Sequence, residues 1–209
     1  MTEEIVFYTN PMSRGRIARW MLEEIGAPYR TEYIAFGEAM KAPSFTAINP
    51  MGKVPTIVHE GRTVTEAPAI CAYLADAFPE RGLAPDPSNR ADYYRWLFFA
   101  AGPLEAASSN RSFGFEVPQD KERAIGYGNF GAVMDTLEFA VSQKPYVAGD
   151  AFSAADVYVG SHVGWGLRAD TIEKRPAFSA YLERLTERPA FQRASRIDNE
   201  ALEAMGAEG

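Results

Sequence analysis

The chain has 209 residues, 46% hydrophobic and 23% charged, enough apolar surface to offset the entropy of ordering and to exclude a disordered chain. Its 21 Lys and Arg stand against 28 Asp and Glu, a net charge of -7, so the positive field that a phosphate backbone needs is missing and nucleic acid is not an expected partner. One cysteine, Cys71, and two histidines, His59 and His162, exclude an internal disulfide and leave little to hold a metal, which fits a reducing, cytoplasmic setting with no metal cofactor.

In chain order, the start Met1-Thr2-Glu3-Glu4 carries acids where a signal peptide carries bases, and no later window reaches the roughly 18 apolar residues that cross a bilayer. A soluble protein without a membrane partner is expected. Ile5-Val6-Phe7-Tyr8 reads as a strand, and Asn10-Pro11 ends it by turn chemistry. Ser13-Arg14-Gly15-Arg16 then opens a helix whose apolar face is Ile17, Trp20, Met21, Leu22 and Ile25, with Gly26 and Pro28 as the stop. Residues 29–34 alternate as a second strand, and strand, helix, strand predicts a right-handed crossover with a parallel pair. Residues 36–52 are rich in loop formers, with one short helical stretch. Val54 to Val58 and Arg62 to Val64 flank Glu60-Gly61 as a hairpin. Thr65 is placed as the N-cap of a helix with Pro68 in its first turn and Ile70, Tyr73, Leu74 and Phe78 at helical spacing.

Gly82, Pro85, Pro87 and Ser88 break periodicity, so 80–89 is read as a linker between a domain over 1–79 and one over 90–209. Beyond it the signals are helical. The cluster Tyr93, Tyr94, Trp96, Phe98 and Phe99 reads as core or subunit interface. Gly126, Gly128 and Gly131 have the spacing of a dinucleotide fingerprint, but no strand precedes them. Helix already running through 121–125 and close helix packing are the expectation there. Ser153 and Asp156 form a capping box in which Asp takes the usual Glu role.

Two local features carry chemistry. A proline at the start of a hairpin strand sits at a sheet edge or turns cis, and either leaves main chain facing outward to bind a peptide. That proline is Pro55, after Val54. Glu66-Ala67 at a helix start pairs free N–H groups, which attract a carboxylate, with an acid that attracts an amine. Together they suit a small zwitterion.

Three segments, Asn49-Pro50-Met51-Gly52-Lys53-Val54-Pro55, then Thr65 through Leu74, then Gly149 through Val157, in this order and spacing, resemble the cytosolic glutathione S-transferases over nearly the whole chain. The resemblance implies a fold of α/β plus all-α class: a thioredoxin-like, glutathione-binding N-terminal domain followed by an all-helical C-terminal domain. It also implies a homodimer, with glutathione as co-substrate and a small hydrophobic electrophile as the second substrate. Carried over by position, Val54 would bond the cysteinyl main chain of glutathione, Pro55 would be the cis proline presenting it, Glu66 would hold the γ-glutamyl group, and Lys53 and Lys41 would face the glycyl carboxylate. At position 67, where many relatives have serine, Ala67 offers its N–H alone.

For the group that activates the thiol, Ser13 at the helix start is the first choice, with Tyr8 second and Asn10 and Arg14 as further donors. A Ser13 that merely caps its helix is the competing reading. Cys71 is far from the first helix and reads as a small core residue, which argues against exchange through a protein thiol. Met12, Phe113, Phe115 and Trp165 are candidate walls for the electrophile. The expected activity is conjugation by bound thiolate; the rivals are a non-catalytic glutathione-fold binding protein and a glutathione-dependent peroxidase or lyase using the same thiolate.

Overall fold

The computed structural model describes residues 4–207, so the acidic start read against a signal peptide lies, apart from Glu4, outside the described residues. By packing, the chain falls into two compact units, one ending at Arg81 and resumed from Arg188, the other spanning Gly82–Glu187.

In the first unit, β1 (Ile5–Thr9) alternates buried Ile5, Phe7 and Thr9 with half-exposed Val6 and Tyr8. α1 (Gly15–Ile25) buries Ile17, Ala18, Trp20, Met21, Leu22 and Ile25, and ends on left-handed Gly26, whose N–H reaches the Leu22 carbonyl. Gly15 admits no side chain, because a Cβ there would lie 1.9 Å from the Thr9 hydroxyl. β2 (Tyr29–Tyr33) pairs parallel to β1, as the crossover rule requires. Two single-turn helices follow, α2 (Glu38–Lys41) and α3 (Pro43–Thr46). β3 (Thr56–His59) runs antiparallel to β1, and β4 (Arg62–Thr65) antiparallel to β3, giving the order β2-β1-β3-β4. The hairpin turns on Glu60 and Gly61, both at positive φ, the backbone a two-residue turn needs.

Two predicted boundaries move. The third strand begins at Thr56 instead of Val54, since Pro55 has no N–H for the ladder and the Val54–Pro55 bond is cis. Thr65 stays paired with Thr56, so the cap of α4 (Ala67–Ala77) falls to Glu66.

The second unit is helical: α5 (Ala91–Phe99), α6 (Glu105–Ser112), α7 (Phe130–Ser142), α8 (Ala154–Arg168) and α9 (Pro176–Thr186). Between α5 and α6, Pro103 has no N–H to give, and the helix widens into a π turn over Ala100–Leu104. The aromatic cluster divides: Tyr93 and Trp96 are core, whereas Phe98 is 71% exposed. The glycine-rich stretch departs from the prediction. Residues 121–124 belong to a 3-10 segment, Gly128 turns at φ 68, and a Cβ on Gly126 or Gly128 would meet open space, so neither serves close packing.

The last helix, α10 (Pro189–Ala207), packs on α1 in the first unit, although the sequence boundaries assign it to the helical domain. Its polarity hid the reason. Buried Asp198 accepts a 2.9 Å bond from buried Arg19, while Arg188 and Arg193 pair with Glu24 and Glu23 of α1. Burial works against the Arg19 charge, but Asp198 and the Tyr29 hydroxyl outweigh it and hold its pKa up. Among the described residues no helix is long and apolar enough to cross a membrane.

Candidate functional site

A cleft of about 680 Å³ opens in the first unit between the β1–α1 loop, the α2 segment and the loop before β3. It brings together Met12, Ser13, Lys41, Lys53 and Val54 of the predicted site residues, with Arg14 among the further donors. Phe36, Gly37, Glu38, Met40 and Gly52 complete the lining, residues that a loop-rich reading of 36–52 gave no reason to choose. Three cations face one acid there, a balance suited to a small ligand with more than one carboxylate.

Each wall is tied by its main chain. Lys41 Nζ donates to the Met51 carbonyl at 2.8 Å and the Gly52 carbonyl at 3.3 Å, clasping α2 to the loop before β3. Gly52 sits at φ 55, where a Cβ would lie 2.2 Å from the Met40 carbonyl oxygen, so the clasp closes on a bare glycine. Neither the N–H nor the C=O of Val54 takes part in a hydrogen bond among the described residues. Val54 thus lines the cleft with an unbonded main chain, next to a proline that is cis and leads into an interior strand, not an edge strand.

Ser13 is held at the start of α1 in two ways. Its hydroxyl donates to the Asn10 carbonyl at 2.7 Å and accepts the Gly15 N–H at 2.9 Å. The proton that would activate a thiol is thus spent on Asn10 in this state, and must swing away to reach a ligand. Asn10 itself is buried, its amide donating to the Ile34 carbonyl and accepting the Met12 N–H, each at 3.0 Å; it shapes the loop and does not line the cleft. Tyr8 projects from β1 against Phe45, ring centroids 5.7 Å apart, and also lies outside the lining.

Pro55, Glu66 and Ala67 do not line the cleft either. The β3–β4 register pairs Thr56 with Thr65, which sets Pro55 and Glu66 on the next rung out. Glu66 is exposed at φ 65, ψ 116, a backbone region costing on the order of 1–3 kcal/mol for a residue with a Cβ. Ala67 beside it is buried at the first position of α4.

In the second unit, Phe115 lines a groove of about 490 Å³ with Arg111, Tyr127 and Phe130; the exposed Phe113 ring lies 6.4 Å from that of Phe115, and Trp165 is half-buried on α8 outside that groove. His59 is buried on β3, its Nδ1 2.9 Å from the Tyr73 hydroxyl, and His162 lies 3.7 Å from Glu105, a carboxylate the sequence reading had not paired with it. No group of three or more metal-ligating side chains occurs among the described residues. Cys71 is buried on α4, and burial pushes its thiol well above the ordinary range, so it is no nucleophile.

The comparisons agree with this geometry. Residues 12–77 match the glutathione S-transferase N-terminal domain and residues 109–189 the C-terminal domain of the same family. Protein LigF of Sphingobium is 30% identical, covering 74% of this chain and 79% of that protein. A glutathione transferase from Methylococcus capsulatus superposes with a TM-score of 0.75 at 29% identity, covering 93% of this chain and 98% of that one. A sphingomonad glutathione S-transferase complexed with glutathione gives 0.74 at 26% identity, with 93% and 98% covered. With a mixed four-stranded sheet, an unbonded main chain beside a cis proline and matches to both domains, the chain belongs to the glutathione S-transferase family.

Proposed function

We propose that the first-unit cleft binds glutathione and that its thiolate attacks an electrophilic carbon of a small apolar substrate. The observation that carries this reading is the unspent Val54 main chain on the rim of a cleft that also holds Lys41, Lys53 and Ser13. The Val54 N–H and C=O bond the cysteinyl main chain, as a strand added to an edge does. Lys53 faces the glycyl carboxylate as a point charge, with Lys41 behind it. Glu66 pairs with the γ-glutamyl ammonium, and the Ala67 N–H at the start of α4 donates to its carboxylate. Met12, exposed in the cleft lining, is the apolar side chain that the first unit offers to the electrophile.

Ser13 donates to the sulfur once its hydroxyl leaves the Asn10 carbonyl. Lowering a thiol from about 8.5 to about 6.5 takes roughly 2.7 kcal/mol, within the sum of one charge-assisted hydrogen bond at about 1.5–3 and a helix terminus at about 0.3–1. The enzyme works as a homodimer, and the exposed rings of Phe98 and Phe139 are apolar surface that a second copy would cover. Titration calorimetry with glutathione, followed by conjugation of a generic aryl halide, tests the reading. Binding with turnover above the uncatalysed rate is expected. No heat at millimolar glutathione would overturn it, and binding without turnover would reduce the protein to a carrier.

A further inference from the structure

One buried side chain aims the peptide on which the cleft depends. Asn49 is 3% exposed, and both ends of its amide are in use. Its Oδ1 accepts the Met51 N–H at 3.1 Å; its Nδ2 donates to the Lys53 carbonyl at 2.8 Å and to Thr56 Oγ1 at 3.0 Å. These partners fix which end of the amide is which, since an N–H requires the oxygen and a carbonyl requires the nitrogen. The Thr56 hydroxyl then donates to the same Lys53 carbonyl at 3.0 Å. Two interior donors therefore hold that one oxygen inward.

In a trans peptide the C=O and the N–H point in opposite directions. The Lys53–Val54 bond is trans, the cis bond being the next one along. Turning the Lys53 carbonyl toward Asn49 and Thr56 turns the Val54 N–H the other way, out of the interior at a rim that Lys53 and Val54 line. We propose that Asn49 is a positioning residue for glutathione: it touches no substrate, but sets the Lys53–Val54 peptide plane so that the Val54 N–H is offered to the tripeptide. This rests on the glutathione reading above. Aspartate cannot replace it, because a carboxylate keeps the acceptor for Met51 but loses both donors and sets an anion against the Lys53 carbonyl.

Calorimetry and steady-state kinetics on wild type, Asn49→Asp, Thr56→Val and Lys53→Ala test this, with thermal midpoints recorded alongside. For Asn49→Asp, a tenfold or greater rise in Kd and KM for glutathione is expected, with kcat at saturating glutathione held within twofold. That loss should not respond to added salt, whereas the loss in Lys53→Ala shrinks as salt screens the charge it removes. Thr56→Val, which removes the second donor and one of the two acceptors of the Asn49 amide while leaving the Asn49–Lys53 bond, should raise KM two- to fivefold. Wild-type affinity in a folded Asn49→Asp overturns the proposal, as does a loss that tracks salt. If Asn49→Asp does not fold, unchanged affinity in Thr56→Val overturns it. Failure of wild type to bind glutathione strikes the underlying reading, a result distinct from wild type binding and the variants binding equally well.

Discussion

The rim of the first-unit cleft and the Asp156 knot of the second unit use similar hydrogen bonds to opposite ends. Asp156 is fully buried and gathers four donors: the Val147 N–H at 2.9 Å and the Tyr181 hydroxyl at 2.8 Å on one oxygen, the Ser153 N–H at 2.9 Å and its hydroxyl at 3.0 Å on the other. Every donor there is consumed. At the cleft the interior ties stop one group short, leaving the Val54 N–H and C=O unspent. A buried charged cluster is structural when its valences close on themselves; a site is marked by what the fold leaves over. Ser13 lies between the two cases, with its proton lent to a carbonyl from which it can be withdrawn.

The sharpest way to break this comparison is to open the knot. Asp156→Ala would strand four interior donors, each costing about 1–3 kcal/mol if left unmet. Partial relaxation brings the expected loss to about 3–5 kcal/mol, the largest effect of any single change considered for this chain. Urea unfolding would show it as a lower midpoint, and a variant as stable as wild type would mean that the capping box does not hold the second unit together.

The same carboxyl carries a pH signature. Burial, opposed by its four donors, pushes the Asp156 pKa up to about 6, against about 3.9 for an exposed aspartate. Between these values the native state holds a proton that the unfolded chain has released. The contribution is fully present below about pH 4, falls as pH rises to about 6, and is flat beyond; it amounts to roughly 3 kcal/mol. Asp156→Asn does not titrate, so wild type should lose stability relative to this variant from pH 4.5 to pH 7. A constant gap between the two unfolding midpoints would show that the donors, not burial, set the charge.

On the cleft side, Ser13→Ala separates the lent proton from a plain cap. If the hydroxyl serves the thiol, its loss removes one charge-assisted bond, about 1.5–3 kcal/mol, and raises the thiol pKa by 1–2. Turnover at pH 6.5 should fall about 5- to 50-fold and recover by pH 9, with glutathione affinity nearly unchanged. A pH–rate profile identical to wild type, with a stability loss of about 1 kcal/mol, would leave Ser13 as a cap alone.

Much of this was legible in the sequence where one residue carries its own local rule. Gly26 stops α1, Glu60-Gly61 turns the hairpin, Ser153 and Asp156 cap α8, and Pro55, cis after Val54, precedes the first residue of β3. What escaped depends on distant partners. Asn49 gains its role from Lys53 and Thr56 folding back over it, and α10 finds α1 through Arg19 and Asp198, 179 positions apart. Tyr181 gave no sign of joining the Asp156 box from 25 residues away. The walls from Phe36 to Met40 were hidden because lining a cleft there imposes no periodicity.

Ala67 offers the smallest and most pointed test. It opens α4, where the helix N-terminus favours an anion, and it is buried, so a hydroxyl added there has few partners besides an incoming carboxylate. Serine adds one oxygen to a methyl group that already fits, and a net hydrogen bond is worth about 0.5–1.5 kcal/mol. Ala67→Ser should therefore tighten glutathione by up to about tenfold while leaving the thiol pKa alone, since the new bond lies at the γ-glutamyl end. Calorimetry on the two proteins checks the affinity and the pH–rate profile checks the separation. Weaker binding in Ala67→Ser would mean that this end of the site has been rebuilt around alanine, with Glu66 and the main chain already meeting every valence of the glutamyl group.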